Sequence, residues 1–374
     1  MISREESVYL DLVRFAAAIL VVVTHLIQYS LLPGYLQRLV PDLGREAVVV
    51  FFVLSGYLIA YTANDRYTSM RSYLSARATR LYSVALPVLL LAFVVDSVGI
   101  HMLNGNYDHV YQYEKFYLYI PLHLAFLGEV WTLAERPFTA DPYWSLSFEA
   151  WYYVWFATLF YFCGWRRIFW FLCIALIVGY QHWILFPIWL AGVLLYRFRD
   201  RWPLSITLAR VGMALSVFTV LLLEYTGLDI RLWQAGRDVW PFSSWPQGST
   251  DQFLLDYMVC ACAVVNLYCA RYAKLSLPLT FNRLIPILAG YTFTLYLSHT
   301  IVMSTWKNNF EYNRENPLHV TCLIALIVLA TFTIGQLTEK RRNHFKPFID
   351  KILAAMIQFL LLCPGSRFLK PNRL

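Results

Sequence analysis

Four apolar stretches of the sequence each contain a polar residue that can take part in chemistry. His25 lies in the first stretch, Ser55 with Gly56 in the second, Glu149 in a later one and His299 towards the C-terminus. A histidine side chain can be neutral at cellular pH and accept a proton, and a neighbouring carboxylate can fix its tautomer and stabilise the imidazolium ion. The residue types therefore predict acid–base chemistry, with His25 as the general base and Glu149 as its orienting partner.

Each of these residues also has a purely structural interpretation. A histidine inside a helix bundle can simply form a hydrogen bond between helices, and Glu149 can pair with Arg14 or a histidine for packing alone. Ser55 and Gly56 can serve only to let two helices approach closely, as small residues do in membranes. At the level of the sequence, these interpretations stay open.

The solvent around most of this chain is lipid. Of its 374 residues, 59% are hydrophobic and 14% are charged, and the mean hydropathy is +0.51. Apolar runs of about 20 residues, enough to cross the hydrocarbon core of a bilayer, recur along most of the sequence. We therefore predict an all-α integral membrane protein that contacts membrane lipid and has no nucleic-acid partner.

We predict ten transmembrane helices in a single domain that covers residues 1–340. They are Val8–Leu32, Ala47–Thr62, Leu81–Ile100, Tyr143–Phe162, Ile168–Tyr180, Trp183–Tyr196, Ile206–Tyr225, Phe253–Tyr272, Leu284–Thr305 and Leu318–Leu337. The fifth and sixth are short, and residues 179–182 connect them. One long bent helix is therefore an alternative at this point, and it would invert the direction of every later helix.

Basic residues predict the orientation of these helices. Cytoplasmic loops of membrane proteins are enriched in Lys and Arg. With ten helices and the N-terminus inside, most of the 31 Lys and Arg residues fall on the inner side. Both termini are therefore predicted to be cytoplasmic. Residues 341–374 form a basic amphipathic tail, which we expect to lie on the inner membrane surface, where anionic lipids attract it.

The polar residues of the predicted helices fall at similar depths. At about 1.5 Å per residue, His25, Glu149 and His299 lie about 9 to 10 Å below the outer ends of their helices. Ser55 lies about 12 Å below the outer end of its helix, and Arg14 lies about three turns further in than His25, where it can line an approach from the cytoplasm. Ionisable groups are costly inside a bilayer, so each is a candidate for function.

Other features of the sequence limit what else the protein binds. The seven cysteines are scattered without a C-x-x-C pair, so we predict neither a disulfide framework nor a metal site. Two outer segments are predicted not to span the membrane. Phe116–Val130 is expected to lie on or dip into the outer face. Residues 226–252 are rich in tryptophan, which predicts either an aromatic belt at the lipid headgroups or a surface on which a sugar stacks.

Five motifs, in order along residues 10–300, resemble those of the acyltransferase 3 family of integral membrane acyltransferases. They are Arg14–Ala18 with Val21–His25, Val50–Ile59, Arg77–Tyr82, Tyr143–Glu149 and Tyr291–His299. Two positions depart from the family pattern. Ala150 replaces a second acid that many members carry after Glu149, which weakens any mechanism with two carboxylates. Ser83 stands where a proline often follows the arginine pair, which bears only on local geometry.

The resemblance implies a function and a role for each matching residue. Members transfer an acyl group, usually acetyl, from cytoplasmic acyl-coenzyme A to a hydroxyl of a sugar, a polysaccharide or a lipid-linked glycan. His25 and Glu149 are then catalytic. The residues expected to bind acyl-coenzyme A or to line its channel are Arg14, Arg77, Arg80, Ser55 and Gly56. Those expected to support the site are Trp144, Ser145, Tyr296 and His299. Acyl-coenzyme A is a co-substrate, and no cofactor is expected to stay bound.

Two other interpretations of the sequence were considered. A proton-coupled transporter also uses intramembrane His, Glu and Arg, although transporters often show internal repeats, and none is visible here. A lipid-binding scaffold would leave the shared depth of the polar residues unexplained. The family resemblance further implies a bacterial inner membrane, and we expect no esterase-like domain of the kind that some members carry.

Overall fold

The long apolar segments of the sequence form helices, and the polar segments between them form turns. The computed structural model describes residues 2–361, except 67–68, 104, 109, 241–243 and 276–277. Its helices are α1 (Arg4–Gln28), α2 (Gly34–Leu39), α3 (Gly44–Arg66), α4 (Met70–Met102), α5 (Tyr111–Glu114), α6 (Phe116–Leu124), α7 (Trp144–Tyr161), α8 (Gly164–Val178), α9 (Tyr180–Phe198), α10 (Ile206–Tyr225), α11 (Leu228–Asp238), α12 (Phe253–Tyr272), α13 (Leu279–Ala289), α14 (Thr292–Asn309), α15 (Pro317–Leu337) and α16 (Arg342–Leu361). No β-strand occurs in this part of the chain, which confirms the all-α class.

Six helices are long and apolar enough to cross a membrane, namely α1, α3, α4, α10, α12 and α15. The helices α13 and α14 are bent by 59° relative to each other and make a seventh span if they cross as one unit. Among the described residues, length and composition thus identify six or seven spans, and the predicted ten stays a prediction. The helix α8 has only 15 residues. The helices α7 and α9 are rich in Tyr and Trp, and most of their side chains are buried by other helices rather than exposed to lipid.

The helices α8 and α9 form an antiparallel hairpin. Gly179 joins them with a φ of +81°, a conformation that favours glycine. Phe171 on α8 packs against Phe186 on α9, and the Trp183 indole donates a hydrogen bond to the Ala175 carbonyl oxygen (2.9 Å). Both contacts join residues about equally far from Gly179. This segment is therefore not one long bent helix, and the alternative that inverted the later helices is wrong.

Two sets of polar contacts mark the opposite ends of the bundle. At one end, the Tyr57 hydroxyl donates to Glu6 (2.5 Å), and Arg271 forms an ion pair with the same carboxylate (2.7 Å). At the other end, Arg45 forms a bidentate ion pair with Asp256 (2.5 and 2.8 Å). The first set joins the start of α1 to the last turns of α3 and α12, whereas the second joins the first turns of α3 and α12. We call these the N-terminal end and the far end of the bundle.

The helices α3 and α9 cross with their backbones almost in contact. A Cβ atom added at Gly56 would overlap the carbonyl oxygen of Trp189, and one added at Gly192 would overlap that of Val53. Small residues at a crossing let helices approach this closely in membrane proteins. Gly56 therefore packs against α9, which is the structural interpretation considered from the sequence, and the crossing fixes the position of Ser55 beside it.

The helix α16 lies at the N-terminal end, against the first turns of α4. The Ser75 hydroxyl of α4 donates a hydrogen bond to the Asp350 carboxylate of α16. Lys346 forms an ion pair with the same carboxylate (2.7 Å), and Ile349 is buried. The predicted tail thus begins as a helix that contacts the bundle. Residues 362–374 of that tail lie outside the described residues.

Candidate active site

Glu149 is held by hydroxyl groups from two helices. The Ser55 hydroxyl of α3 donates to Glu149 Oε1 (2.9 Å), and the Tyr153 hydroxyl donates to the same oxygen. Tyr153 lies four residues after Glu149 on α7, so the two side chains share one helix face. The Trp189 indole of α9 in turn donates to Ser55 Oγ (3.2 Å). Side chains from α3, α7 and α9 therefore fix the carboxylate in place.

His25 and His299 form a hydrogen-bonded pair between α1 and α14. His299 Nε2 lies 3.1 Å from His25 Nδ1. His299 Nδ1 lies 2.8 Å from the Leu295 carbonyl oxygen, and His25 Nδ1 lies 2.9 Å from that of Val21. His299 is fully buried, whereas His25 is partly exposed. Of the two imidazoles, His25 is therefore the one that a substrate can reach.

The hydrogen bonds assign the tautomers of both rings. A carbonyl oxygen only accepts, so each Nδ1 must carry a proton towards its carbonyl. His299 Nε2 is then a lone-pair acceptor, and the single His25 Nδ1–H group is shared between it and the Val21 carbonyl oxygen. This leaves His25 Nε2 unprotonated in the neutral pair. A neutral imidazole with a lone pair on Nε2 has the form that a general base requires.

The structure pairs His25 and Glu149 with partners other than each other. Within the described part of the chain, the hydrogen bonds join His25 to His299 and Glu149 to Ser55 and Tyr153. The expected contact of His25 with Glu149 is not among them. Helix depth, which supported that expectation, says nothing about which way a side chain points around its helix axis. His299 therefore occupies the orienting position that the sequence assigned to Glu149.

A hydroxyl bridge connects the two parts of the site. Ser145 Oγ and Tyr296 Oη lie 2.7 Å apart. Ser145 lies one helical turn before Glu149 on α7, and Tyr296 lies one turn before His299 on α14. The bridge thus joins the helix that carries the carboxylate to the helix that carries the buried histidine. Both residues were predicted to support the site.

A small central cavity adjoins Glu149. It has a volume of about 60 Å³, and its polar lining residues are Arg14, Ser55, Arg80, Ser145, Glu149, Thr292 and Tyr296. A space of this size holds only a few water molecules. Arg14 also forms an ion pair with Asp11, one turn earlier on α1 (3.2 Å). The cavity brings together six residues, from five different helices, that were predicted from the sequence to belong to the site.

A larger, basic cavity opens at the N-terminal end of the bundle. Its volume is about 780 Å³, and its cationic lining residues are Arg71, Arg77, Arg80, Arg342 and Lys346. The Arg77 guanidinium donates to Thr62 Oγ1 (2.8 Å) and lies over the ring of Tyr73. Arg80 lines this cavity and the central one. The two cavities therefore meet at one arginine side chain.

Trp144 belongs to a polar cluster at the far end that the sequence analysis missed. The Arg45 guanidinium lies 5.2 Å from the centre of the Trp144 ring and also donates to the Ser249 carbonyl oxygen (2.7 Å). Its ion-pair partner Asp256 is buried. Asp256 lies inside a predicted span, so the rule that singled out Glu149 also applies to it. It lies in the first turn of its helix, close to the end of the predicted span.

The segment Phe116–Val130 packs partly into the protein at the far end, and its position relative to the membrane stays a prediction. His123 and Glu129 are both buried. Burial lowers the pKa of His123 to about 4 and raises the pKa of Glu129 to about 8. Both side chains are therefore mostly uncharged near neutral pH. In the tryptophan-rich loop, the rings of Trp240 and Trp245 pack against Tyr180.

The fold and the site define a class of protein. This is a helical integral membrane protein with a hydrogen-bonded histidine pair, an anchored carboxylate and a basic cavity that shares Arg80 with the cavity beside the carboxylate. A family model described as an acyltransferase domain, Acyl_transf_3, matches residues 7–336. The chain thus belongs to the acyltransferase 3 family of membrane acyltransferases, and the resemblance stated from its motifs is confirmed. No curated protein and no solved structure matches the chain.

Proposed function

We propose that this protein transfers an acetyl group from acetyl-coenzyme A to a hydroxyl of a carbohydrate or a lipid-linked glycan. The observation that carries the proposal is that Arg80 lines both cavities. Coenzyme A has phosphates at one end and its thioester at the other end of a thin arm. A basic cavity suits the phosphates, because guanidinium groups match phosphate geometry. The arm can then lead the thioester past Arg80 towards the residues around Glu149.

The proposed reaction needs one base and no bound cofactor. His25 Nε2 removes the proton of the acceptor hydroxyl as its oxygen attacks the thioester carbonyl carbon. The carbon–sulfur bond then breaks, and the proton passes from the imidazolium to the departing thiolate. The products are an ester and free coenzyme A, and His25 returns to its neutral form. Holding both substrates in contact supplies much of the rate.

The orientation of His299 supports Arg14, rather than His299, as the group that stabilises the oxyanion. Since His299 Nε2 faces the His25 Nδ1–H group as an acceptor, it has no proton for the carbonyl oxygen of the substrate. Arg14 lines the central cavity and is always charged, so it is the better candidate for this role. Glu149 and Ser55 then fix the shape of the cavity in which the thioester lies.

The proposal includes a membrane orientation. Acyl-coenzyme A is made in the cytoplasm, so the basic cavity has to face that side. The start of α1 and the helix α16 lie at the same end of the bundle as this cavity. We therefore retain ten transmembrane crossings with both termini in the cytoplasm, in a bacterial inner membrane. The acceptor would approach from the far end, where Trp144 and Arg45 lie.

Release of free coenzyme A tests the proposed function. Purified protein would be incubated with acetyl-coenzyme A and a lipid-linked glycan fraction, and the new thiol would be measured with a thiol-reactive dye. We expect His25→Ala to lower the rate about 100-fold or more while coenzyme A binding persists. His101→Ala changes an exposed histidine at the end of α4 and should leave the rate unchanged. Proton movement in liposomes without any thiol release would instead indicate the transporter.

A further inference from the structure

The helix α16 forms one wall of the basic cavity. Arg342, Asn343, Lys346 and Asp350 line it from this side, and residues of α4 line it from the other. The family model ends at residue 336, six residues before α16 begins. This wall therefore lies outside the residues that the family model matches.

Two observations fix α16 against the cavity rather than on the membrane surface alone. The Asp350 carboxylate accepts hydrogen bonds from Ser75 on α4 and from Lys346 on α16 itself. Ile349, next to Asp350, is 6% exposed, so one face of the helix is packed against the bundle. The opposite face of this stretch is exposed at Phe348 and Lys351. The cavity wall is thus a defined surface of the fold.

The charges of the cavity select a ligand with several phosphates. Five cationic side chains face one carboxylate in this space. The net charge of +4 that these side chains sum to is closer in size to the charge of the three phosphates of coenzyme A than to that of a lipid headgroup with a single phosphate. The hydroxyls of Ser69, Ser72 and Thr62 also line the cavity and suit a polar ligand. A lipid headgroup and coenzyme A would both bind through phosphate, and the number of charges favours coenzyme A as the ligand.

We infer that Arg342 and Lys346 bind the phosphates of coenzyme A, so that α16 completes the donor site of the proposed acyltransferase. This inference rests on the proposed function. Arg77 and Arg80 lie deeper on α4, and Arg80 reaches the central cavity. The α16 residues therefore hold the nucleotide end of the donor, and the α4 residues lie closer to its reactive end.

Binding of coenzyme A to the full chain tests this role. The protein would be purified in neutral detergent without anionic lipid, and coenzyme A binding would be measured by calorimetry. We expect the double change of Arg342→Gln and Lys346→Gln to weaken binding about tenfold or more, as the loss of charged hydrogen bonds predicts. Lys351→Gln removes the same charge from an exposed position outside the cavity lining and should bind normally. If the double variant does not stay monodisperse, Arg342→Gln alone carries the test.

A second substrate separates this inference from the proposed function. Acetyl-pantetheine has the thioester arm without the nucleotide and its phosphates. We expect the wild type and the double variant to use acetyl-pantetheine at equal rates, with only the coenzyme A reaction impaired in the variant. Equal coenzyme A affinity in the wild type and the double variant would overturn only the role of α16. A wild type that transfers acetyl from neither acetyl-coenzyme A nor acetyl-pantetheine would overturn the proposed function. Normal coenzyme A binding with lost binding to vesicles of anionic phospholipid would assign these residues to lipid.

Discussion

His25 can act as a base only through Nε2, because its Nδ1 faces the Val21 carbonyl and His299. The buried imidazole thus does for His25 what a carboxylate does in many catalytic triads, since it selects the tautomer and the ring orientation. It differs in one respect. A neutral acceptor stabilises the imidazolium less than a carboxylate would, so the partner acts mainly by positioning.

Changes at His299 should therefore affect turnover rather than donor binding. We expect His299→Ala to lower kcat about 10-fold or more, because the His25 ring loses its partner, with little change in KM for acyl-coenzyme A. His299→Gln should recover part of the activity, because its amide oxygen can accept the Nδ1 hydrogen bond. Steady-state kinetics of both variants give the answer. Equal losses in the two would indicate that His299 has a packing role only.

Motifs located the residues of the site but not their pairs. The motifs predicted that Ser55, Ser145, Glu149 and Tyr296 belong to one site, and all four line the central cavity. It placed His25 beside Glu149 because depth along a helix can be estimated from the sequence. The direction of a side chain around the helix depends on how helices pack, and that is set by contacts such as the α3–α9 crossing, which involve residues far apart in the sequence.

At the scale of helices, the site depends on how closely α3 and α9 approach. Ser55 lies next to Gly56 on α3, and it accepts a hydrogen bond from Trp189 on α9 while donating to Glu149. Any residue larger than glycine at the crossing must move the two backbones apart. Such a shift would break the chain of hydrogen bonds that leads from α9 to the carboxylate.

Alanine at this crossing should destabilise the protein. We expect Gly56→Ala and Gly192→Ala each to cost about 1–3 kcal/mol, since the atoms in the way belong to backbone that cannot rotate aside. Thermal unfolding in detergent, followed by tryptophan fluorescence, measures the loss. Gly34→Ala is the matched control, because its new Cβ would lie 3.7 Å from the nearest atom, an ordinary contact. Melting temperatures that do not differ among the three would contradict the tight crossing.

Hydropathy predicted the long helices, including α7 and α9, but it did not predict how they pack against one another. The sequence shows the long apolar helices and the turn at Gly179 between α8 and α9. The helices α7 and α9 look less apolar because Tyr152, Trp155 and Trp189 face protein rather than lipid, and each of these is buried. The contact of α16 with α4 was not predicted, because a basic amphipathic pattern suits a membrane surface as well as a protein surface.

At the scale of the whole molecule, the two ends of the bundle carry different polar groups. The N-terminal end carries the basic cavity, and the far end carries Trp144 with the buried pair of Arg45 and Asp256. The central cavity lies between the two ends along the helices, and His25 lies in the last turn of α1, towards the far end. Under the proposed function, a donor from one side and an acceptor from the other would meet without the protein carrying a substrate across the membrane.

This arrangement predicts that the two ends lie on opposite sides of the membrane. A reporter fused after Leu374 should lie in the cytoplasm, and a reporter inserted near Gly105, beyond the end of α4, should lie outside. The pattern of basic residues supports the same orientation. Alkaline phosphatase and green fluorescent protein fusions report the two sides. Both reporters on one side would contradict the assignment of donor and acceptor sides.

Acylation of cell-surface glycans tests most directly whether His25 drives acyl transfer. Mass spectrometry would compare the polysaccharides and lipid-linked glycans of cells with the wild-type protein, without it, and with His25→Ala at matched protein levels. We expect cells that lack the protein to lose one acyl group from a single class of glycan, and the His25→Ala cells to show the same loss. Normal acylation in the His25→Ala cells, with the protein present in the membrane, would contradict the proposed mechanism.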